Sequence, residues 1–326
     1  MATSLRIATF NLENLDDKAD EKPTLAERTR IMRPTLARLR ADVLVLQEVN
    51  GQEQGADRKL TALKTLVQGT PYAEFHVANT KTQEGKPYDE RNLVVLSRYP
   101  ILSVQQLKHD RAPKPSYRKV TAAPPEQAAD DVTWERPMLY VKLDLGQGRV
   151  LHLIDVHLKS KLPSDIPGQK VNQYMWRTAS AWAEGSFLST IKRVGQALEA
   201  RILIDEIFDA EPDAYIAICG DFNDDSHELA VTAIRGPVEE TGNPALTSRV
   251  MVPCENTVPE SSRYSLLHLG HGAMLDHVLV SRALLAFYRG TAIHNENLPD
   301  ESGAFRTDAN FPESDHAPVV AEFELP

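Results

Sequence analysis

Short runs of apolar, often β-branched residues recur along the 326-residue chain, and each predicts a β-strand. Several runs are almost continuously apolar rather than alternating, which indicates sheets that are covered on both faces. Eight runs fit this description: Leu5–Phe10, Val43–Leu46, Leu93–Ser97, Met138–Leu145, Val150–Val156, Tyr215–Cys219, Val278–Ser281 and Val319–Phe323.

Helical patterns lie between these runs. Thr24 and Glu27 have the spacing of a capping box, which predicts a helix that extends towards Leu39 and kinks at Pro34. Three more helices are predicted, from Leu60 to Val67, from about Ala179 to Phe208, and from a cap at Ser226 to just before Gly236. The alternation of strands and helices predicts an α/β fold of mixed sheets with helices outside.

Two segments without periodicity complete the pattern. His109–Trp134 and Lys159–Gln169 both contain several prolines, which predicts surface loops. Since no internal repeat, low-complexity tract or linker is present, we expect residues 1–326 to form a single domain.

Composition narrows the class of protein. The chain is 42% hydrophobic and 25% charged, as in ordinary soluble globular proteins, and no apolar run approaches the roughly 20 residues that span a bilayer. The first residues have no secretory leader pattern, so a cytoplasmic protein is expected, or a secreted one if a leader was removed. Of the two cysteines, Cys219 lies in an apolar run and is expected to be a buried thiol.

The formal net charge of −10 argues against a protein that coats nucleic acid by bulk electrostatics. It does not exclude a nuclease, because an enzyme that gathers carboxylates around a metal ion can bind phosphates through a few local cations.

Polar residues suited to metal and phosphate chemistry stand at the ends of the predicted strands. Ligands collect at strand ends in α/β sheets, so the number of polar residues at these ends suggests one shared site. The instances are Asn11, Gln47–Glu48, His157, Asp221–Asn223, Asp276–His277 and Asp315–His316.

These motifs, in this order, resemble those of the endonuclease/exonuclease/phosphatase superfamily over nearly the whole chain. The matching segments are Thr9–Asn11, Gln47–Val49, Gly220–Asn223, Leu275–His277 and Ser314–His316. The resemblance implies a four-layer α/β sandwich, in which two mixed sheets pack face to face with helices outside. It also implies metal-dependent hydrolysis of a phosphoester at one end of the sheets.

The resemblance also implies roles for the matching residues. Glu48 is the expected ligand of Mg²⁺, or of Mn²⁺ or Ca²⁺, with Asn11 and Asp315 as its helpers, because these hard ions prefer oxygen ligands. The other members act on water and phosphate. Asp221 would orient or deprotonate the attacking water, Asn223 would hold water or a phosphoryl oxygen, and His316, kept positively charged by Asp276, would contact the phosphate.

A second carboxylate–histidine pair is suggested by Tyr88–Leu93, which looks like a segment of pancreatic-type deoxyribonucleases. The likeness implies that Glu90 supports His157, which would then protonate the leaving group. Asn50 stands where those nucleases place an arginine, so the likeness does not fix DNA as the substrate. The predicted substrate-binding residues are Arg91, Asn92, Lys159 and Arg111.

The leading hypothesis is therefore a divalent-metal-dependent phosphodiesterase, most simply a monomeric nuclease that acts on DNA or RNA. The alternatives are a phosphatase or phospholipase that acts on a smaller phosphoester, and a binding scaffold that has kept the fold without catalysis. Erosion of a core site residue would favour the scaffold, and none is seen. No Gly-x-Ser-x-Gly elbow is present, which argues against a serine hydrolase.

Overall fold

The computed structural model describes residues 3–303 and 311–326, and these ranges contain two six-stranded sheets. In chain order their strands are β1 (Thr3–Leu15), β2 (Val43–Val49), β3 (His76–Asn79), β4 (Asn92–Ser97), β5 (Ile101–Leu107), β6 (Met138–Gly146), β7 (Arg149–His157), β8 (Tyr215–Asp221), β9 (Val252–Pro253), β10 (Asp276–Val280), β11 (Tyr288–Ile293) and β12 (Val319–Leu325). Three two-stranded ribbons pair Gln52–Gln54 with Asp57–Lys59, Ser116–Tyr117 with Asp130–Asp131, and Leu266–His268 with His271–Ala273.

Both sheets are mixed, as predicted. The first has the strand order β11-β12-β1-β2-β4-β3, and the second has the order β9-β10-β8-β7-β6-β5. Each sheet contains one parallel pair, β1 with β2 and β7 with β8, while the other neighbours are antiparallel. The two parallel pairs lie near the middle of their sheets, which is where the candidate residues are found.

The helices are α1 (Leu25–Leu39), α2 (Thr61–Val67), α3 (Ala179–Ala210), α4 (Leu229–Arg235), α5 (Val238–Thr241) and α6 (Arg282–Leu285), with 3₁₀ turns at Pro71–Glu74, Pro244–Arg249, Cys254–Thr257, Glu260–Ser262 and Glu301–Gly303. Helices α1 and α2 cover the outer face of the first sheet, and α3 and α4 cover that of the second. Leu284 of α6 belongs to the core between the sheets. No helix within the described ranges is long and apolar enough to cross a membrane.

Alternate residues of each strand face opposite layers. On β1, Leu5 and Ile7 belong to the core between the two sheets, whereas Ala8 and Phe10 pack with the residues of α1 and α2. On β7, Leu153 faces the other sheet, whereas Ile154 packs with α3 and α4. These three cores confirm the predicted four-layer α/β sandwich. The central core joins strands from both ends of the chain. That residues 1–326 form a single domain stays a prediction.

The eight predicted strands are all present, and the four strands of the two large sheets that were missed are β3, β5, β9 and β11. These four strands form the two edges of each sheet. An edge strand has one neighbour and partly faces solvent, so β5 carries Gln105 and Gln106 and is mostly exposed. The apolar runs that predict interior strands are therefore absent from the edges.

The predicted helices are also present, with two corrections. Thr24 and Glu27 form the capping box of α1, and that helix continues through Pro34. The helix that was expected to begin at Ser226 begins at Leu229, with Glu228 in the cap position and no side-chain cap hydrogen bond. Its end at Gly236, in the left-handed conformation, agrees with the prediction.

The proline-rich segment His109–Trp134 is held against α3 by two carboxylates of that helix. Glu199 accepts hydrogen bonds from the backbone N–H groups of His109, Asp110 and Arg111, at 3.0, 2.6 and 3.0 Å. Glu184 accepts the backbone N–H groups of residues 120 and 121 in the same way. The segment is thus an ordered loop, and it includes one of the short ribbons.

Candidate active site

The candidate residues meet where the two parallel strand pairs end. Asn11 of β1 lies opposite Gln47 of β2, one residue before Glu48, and in the second sheet His157 of β7 lies opposite Asp221 of β8. Asp221 also lies opposite Asp276 of β10. Because both parallel pairs end at the same side of the sandwich, the two sheets face each other with polar residues there.

Local backbone features turn these side chains towards each other. The pairing register of β2 shifts after Leu46, and Glu48 in this bulge has a left-handed φ of 58°. The backbone N–H of Asn14 donates to Glu48 Oε2 at 3.0 Å. On β8, Gly220 has a φ of 135°, and a Cβ built there would lie 1.9 Å from the carbonyl oxygen of Val156. Only glycine allows this approach of β7 and β8 just before Asp221.

Three carboxylates, Glu13, Glu48 and Asp315, form the acidic side of the site. Burial and the Asp315 charge raise the pKa of Glu13 to about 8. Burial, and then the charges of Glu48 and Glu301, raise the pKa of Asp315 to about 6, although His316 opposes the shift. The buried Arg28 offsets part of this negative charge, since it lowers the pKa of Glu13. The hard oxygen donors of the three acids fit a divalent cation such as Mg²⁺.

Asp221 is the hub of the hydrogen bonds in the site. Its Oδ2 accepts the side-chain amides of Asn11 and Asn223 at 3.1 and 3.0 Å, and its Oδ1 accepts the backbone N–H of Asn223 at 2.8 Å. Burial raises the pKa of Asp221 to about 7, with the Asp276 charge adding to the effect and the His316 charge opposing it. A carboxyl group with a pKa near neutrality is suited to exchange a proton with water.

His316 is held by Asp276, as the resemblance implied. Its Nδ1 lies 2.6 Å from Asp276 Oδ2, and its Nε2 points towards Asp221 Oδ2 at 4.0 Å. Burial disfavours the charged ring, but Asp276 and Asp315 outweigh it and hold the pKa of His316 well above its usual range. Asp221, Asp276 and His316 are also close enough to one another to chelate an ion.

His157 does not have the partner that the sequence suggested. Its Nε2 lies 3.5 Å from Glu48 Oε1 and 3.4 Å from Asp221 Oδ2, while its buried Nδ1 has no hydrogen-bond partner among the described residues. Glu90 is exposed to solvent and does not reach the ring. Burial and the positive charge of Arg136 hold the pKa of His157 well below its usual range, which favours the neutral ring.

Two of the four predicted substrate-binding residues lie near the site. The Arg91 side chain is partly exposed, with its Nε 3.8 Å from Glu48 Oε1 and hydrogen-bonded to Asn14 Oδ1 at 3.2 Å. Lys159 follows His157 by two residues, and burial and neighbouring cations lower its pKa to about 8, with Glu135 opposing the shift.

The other two assignments are wrong. Asn92 is fully buried, and its side-chain amide donates to the carbonyl groups of Val49 and Tyr88, so it fixes the loop before β4. Arg111 pairs with Glu206 near the C-terminal end of α3, which leads to the start of β8 rather than to Asp221 at its end. Neither side chain is available to a substrate at the site.

Sequence reasoning missed two residues of the site, Glu13 and Arg136. Glu13 lies two residues beyond Asn11, and its own signal was weak because an acid after a strand is usually solvated. Arg136 stands two residues before the strand β6 and donates to the carbonyl oxygen of His157 at 3.2 Å. The charges of Glu48 and Asp221 act on its guanidinium group. The signal available in the sequence was an arginine shortly before a predicted strand.

A buried polar layer lies beneath the site. Thr9 Oγ1 donates to Gln47 Oε1 at 3.2 Å, and Gln47 Nε2 donates to Asp155 Oδ1 at 2.8 Å. All three side chains are inaccessible to solvent. Burial raises the pKa of Asp155 well above its usual range. This layer separates the apolar core from the catalytic groups and ties the two sheets together.

The sequence matches a known protein family over the whole stretch of chain that contains the site residues. The model of the Endonuclease/Exonuclease/phosphatase family matches residues 8–316, from the first strand of the site to its last histidine. The chain belongs to this family. Membership in the Endonuclease/Exonuclease/phosphatase family makes the chain a phosphoester hydrolase by class. No curated protein sequence matches the chain.

Solved structures of this family share the fold at low sequence identity. An Endonuclease/Exonuclease/phosphatase family protein from Bacteroides thetaiotaomicron is 16% identical, with a TM-score of 0.58 over 100% of this chain and 96% of its own. A humanized TDP2 from D. rerio is 17% identical, with a TM-score of 0.55 over 98% of both chains. The 3′ phosphatase NExo from Neisseria, bound to a product DNA hairpin, is 16% identical, with a TM-score of 0.53 over 98% of this chain and 99% of its own.

Proposed function

We propose that this chain is a divalent-metal-dependent phosphodiesterase whose substrate is nucleic acid. The observation that carries the proposal is the meeting of three carboxylates with a charged histidine–aspartate pair at one end of the two sheets. Glu13, Glu48 and Asp315 supply one side of that arrangement, and Asp276 and His316 supply the other. The chemistry of a phosphoester requires both sides, because an ion and a protonated donor must bind the same phosphate.

The acidic side would hold the metal. Glu48 and Asp315, with Glu13 beside them, would bind Mg²⁺, and Mn²⁺ or Ca²⁺ suit the same oxygen donors. When bound, the ion neutralises charge on the phosphoryl oxygens. The Asn11 side-chain amide links the acidic side to Asp221, the residue proposed to act on water. Its Oδ1 accepts the backbone N–H of Glu13, and its Nδ2 donates to Asp221.

The other residues would act on the attacking water and on the phosphate. Asp221, aimed by Asn11 and Asn223, would accept a proton from the water, for which a pKa of about 7 is suited. His316 would donate a charge-assisted hydrogen bond through Nε2 to a phosphoryl oxygen. Neutral His157 would position the substrate by hydrogen bonding, a change from the proton donor expected from sequence. Arg136 and Arg91 would add positive charge around the phosphate.

A hydrolysis screen tests this proposal. The substrates are single- and double-stranded DNA, RNA, nucleotides, sugar phosphates and phospholipids, each with Mg²⁺, Mn²⁺, Ca²⁺ or a chelator. We expect chelator-sensitive cleavage of nucleic acid. Cleavage restricted to small phosphomonoesters or to phospholipids would contradict the proposal in favour of the phosphatase or phospholipase alternative. The absence of hydrolysis with every substrate and ion would favour a non-catalytic scaffold.

A further inference from the structure

The side chain of Arg193 lies behind the active site, between helix α3 and the ends of two strands. The residue is part of α3, and only 7% of its surface is accessible to solvent. A charged side chain is rarely buried unless its donors are paired with acceptors. The acceptors that Arg193 contacts therefore show what this side chain holds in place.

Arg193 connects the two segments of chain that leave the parallel strands β7 and β8. Its Nη1 donates to the carbonyl oxygen of Lys159 at 3.1 Å, and its Nε lies 2.7 Å from Asp224 Oδ1. Lys159 follows His157, the last residue of β7, and Asp224 follows Asn223, beyond the end of β8. One guanidinium group thus spans from the segment after His157 to the turn that carries Asn223.

On the β7 side, the backbone of Lys159 is fixed to α3 at both of its polar groups. Its N–H donates to Gln196 Oε1 at 2.9 Å, and its carbonyl oxygen accepts the bond from Arg193. Gln196 lies three residues after Arg193, so the two side chains project from neighbouring positions on one face of the helix. The helix therefore sets the position of the chain directly after His157.

On the β8 side, Asp224 is held at its carboxylate and at its carbonyl group. The carboxylate contacts Arg193 through Oδ1, and its Oδ2 accepts the backbone N–H of Ala230 at 3.1 Å. The carbonyl oxygen lies 2.9 Å from Nε2 of the fully buried His277, whose Nδ1 lies 2.6 Å from Glu255 Oε1. A carbonyl oxygen can only accept, so His277 Nε2 carries a proton and donates it.

The turn between Asp221 and Asp224 has a conformation that an unconstrained chain seldom adopts. Asn223 has a left-handed φ of 52°. In this conformation its Nδ2 donates to Asp221 Oδ2 at 3.0 Å and to the carbonyl oxygen of Leu158 at 3.1 Å. A backbone in a sparsely populated region persists only when its surroundings fix it. Arg193 supplies such a constraint, because it binds the residues that directly follow Leu158 and Asn223.

We propose that Arg193 is a positioning residue for the reaction. It sets the distance between the strand end that carries His157 and the turn that carries Asp221. This inference rests on the proposed function, in which Asp221 accepts a proton from the attacking water and His157 positions the substrate. A displacement of about 1 Å can cost about 100-fold in rate, even when the altered residue lies away from the reacting atoms.

The test compares Arg193→Met, which removes the guanidinium group and keeps a long side chain, with the matched variant Arg201→Met. Arg201 lies on the same helix, about 12 Å further along. Its side chain is 14% exposed, against 8% for Arg193, and it also pairs with a carboxylate, that of Asp205. Its Nη1 donates to the carbonyl oxygens of Ile234 and Arg249, both at 3.1 Å. These acceptors lie at and beyond the C-terminal end of α4, whereas the turn with Asn223 precedes α4.

Two properties are measured for the wild type and for both variants. The first is the pair of constants kcat and KM for hydrolysis of bis-p-nitrophenyl phosphate in saturating Mn²⁺, at a temperature where urea unfolding shows that all three proteins are folded. The second is hydrogen exchange of segments 157–161 and 221–226, followed by mass spectrometry in chelator without substrate.

For Arg193→Met we expect kcat to fall by about 10- to 100-fold while KM stays unchanged. Exchange should become faster in both segments, because the backbone N–H groups of Leu158 and Asn223 donate to Asp221 at 2.9 and 2.8 Å. Arg201→Met should match the wild type in kcat, in KM and in the exchange of these segments.

The outcomes that overturn the inference are distinct. An unchanged kcat in Arg193→Met would show that Arg193 has only a structural role, and an equal fall in kcat for Arg201→Met would show a general effect of altering α3. A rise in KM that accounts for the whole loss of activity would also overturn it. Absence of hydrolysis in the wild type would instead contradict the proposed function, and exchange alone would then decide, with unchanged exchange overturning the role of Arg193.

A second variant, Arg193→Lys, decides the question if Arg193→Met does not fold. Lysine keeps the positive charge beside Asp224, but its single ammonium group does not reproduce the planar fork that joins Asp224 to Lys159. We expect a smaller fall in kcat than in Arg193→Met, again with KM unchanged. A wild-type kcat in Arg193→Lys would overturn the inference.

Discussion

At the scale of single residues, burial acts on several acids whose neighbours differ. Asp221 is buried among amide donors and close to the charged His316. Asp155 has Gln47 as its donor, and its Oδ2 has no partner in the described part of the chain. The first environment suits an acid that exchanges protons near neutrality, and the second suits an acid that stays protonated. Because their environments differ, buried acids of this protein should affect the pH dependence of stability and of the reaction rate in different ways.

Replacing Asp155 with Asn should alter how stability depends on pH. The folded protein keeps the proton of Asp155 at pH values where the unfolded chain releases it, so the wild type loses stability as the pH rises above the unfolded pKa of about 4. Asn does not titrate, so Asp155→Asn should gain stability relative to the wild type between pH 5 and pH 8, by up to about 1.4 kcal/mol per unit. Urea unfolding at four pH values measures this.

The control for that experiment is Asp213→Asn, which changes an exposed acid beyond the end of α3. Its stability relative to the wild type should stay constant with pH. A constant difference for Asp155→Asn as well would mean that Asp155 is ionised in the folded protein.

Replacing Asp276 with Asn should make the rate of hydrolysis fall as the pH rises. In the wild type, burial disfavours the imidazolium form, but Asp276 and Asp315 hold the pKa of His316 well above its usual range, so the ring stays charged. Without the Asp276 charge, burial lowers this pKa, and the ring loses its proton as the pH rises. The ratio of the rates of Asp276→Asn and the wild type, on bis-p-nitrophenyl phosphate, should fall from pH 5.5 to pH 8.

Asp205→Asn, on the surface of α3, serves as the matched control, and its ratio to the wild type should not vary. The account of His316 is wrong if the Asp276→Asn ratio is equally flat, because the charge on the ring would then not depend on Asp276.

At the scale of elements, α3 organises the loops around the site. Its Glu199 accepts three backbone N–H groups of the proline-rich loop, and its Glu184 binds the same loop nearer the N-terminal end of the helix. The apolar residues of its inner face pack on the second sheet. This helix therefore connects the core to the proline-rich loop.

Glu199→Ala should destabilise the protein by about 2 kcal/mol, because it leaves three part-buried backbone donors without their acceptor. Glu206→Ala, on the same helix, removes only a surface ion pair with Arg111 and should cost less than about 1 kcal/mol. Chemical unfolding of the two variants measures the difference. Equal costs would show that Glu199 does not hold the loop.

The elements that the sequence could predict are those whose pattern is set by burial. Interior strands such as β2 and β8 are apolar on both faces, and α1 carries a complete capping box. The edge strands could not be predicted in this way, since their residues partly face water. Ser226 was assigned as a cap because serine favours that position, but the turn from Asp225 to Glu228 delays the start of α4.

At the scale of the whole molecule, the site is assembled from residues that are distant in the chain. Asn11, Glu48, Asp221 and His316 were predicted correctly to lie together, because strand ends collect ligands and the family motifs fixed their order. The contacts that loop residues make cannot be predicted from the pattern of residues at strand ends. Glu90 and Arg111 were therefore misplaced, and Arg136 was overlooked.

The distribution of charge over the whole molecule explains how an acidic protein can act on an anion. The net charge of −10 is set against a local group of cations, Arg91, Arg136 and Lys159, around the catalytic end. A divalent ion between the carboxylates would complete this local reversal of charge. We therefore expect hydrolysis of a phosphodiester to depend on the acidic side of the site and on a metal ion.

The most direct test is the rate of bis-p-nitrophenyl phosphate hydrolysis by Glu48→Gln, compared with the wild type and with the surface control Glu324→Gln, in Mn²⁺ and in chelator. We predict that the wild type and the control are active in Mn²⁺ and inactive in chelator. Glu48→Gln should lose about 100-fold or more of the rate in Mn²⁺ without a change in unfolding midpoint. Full activity of Glu48→Gln, or hydrolysis that survives chelation, would contradict the account.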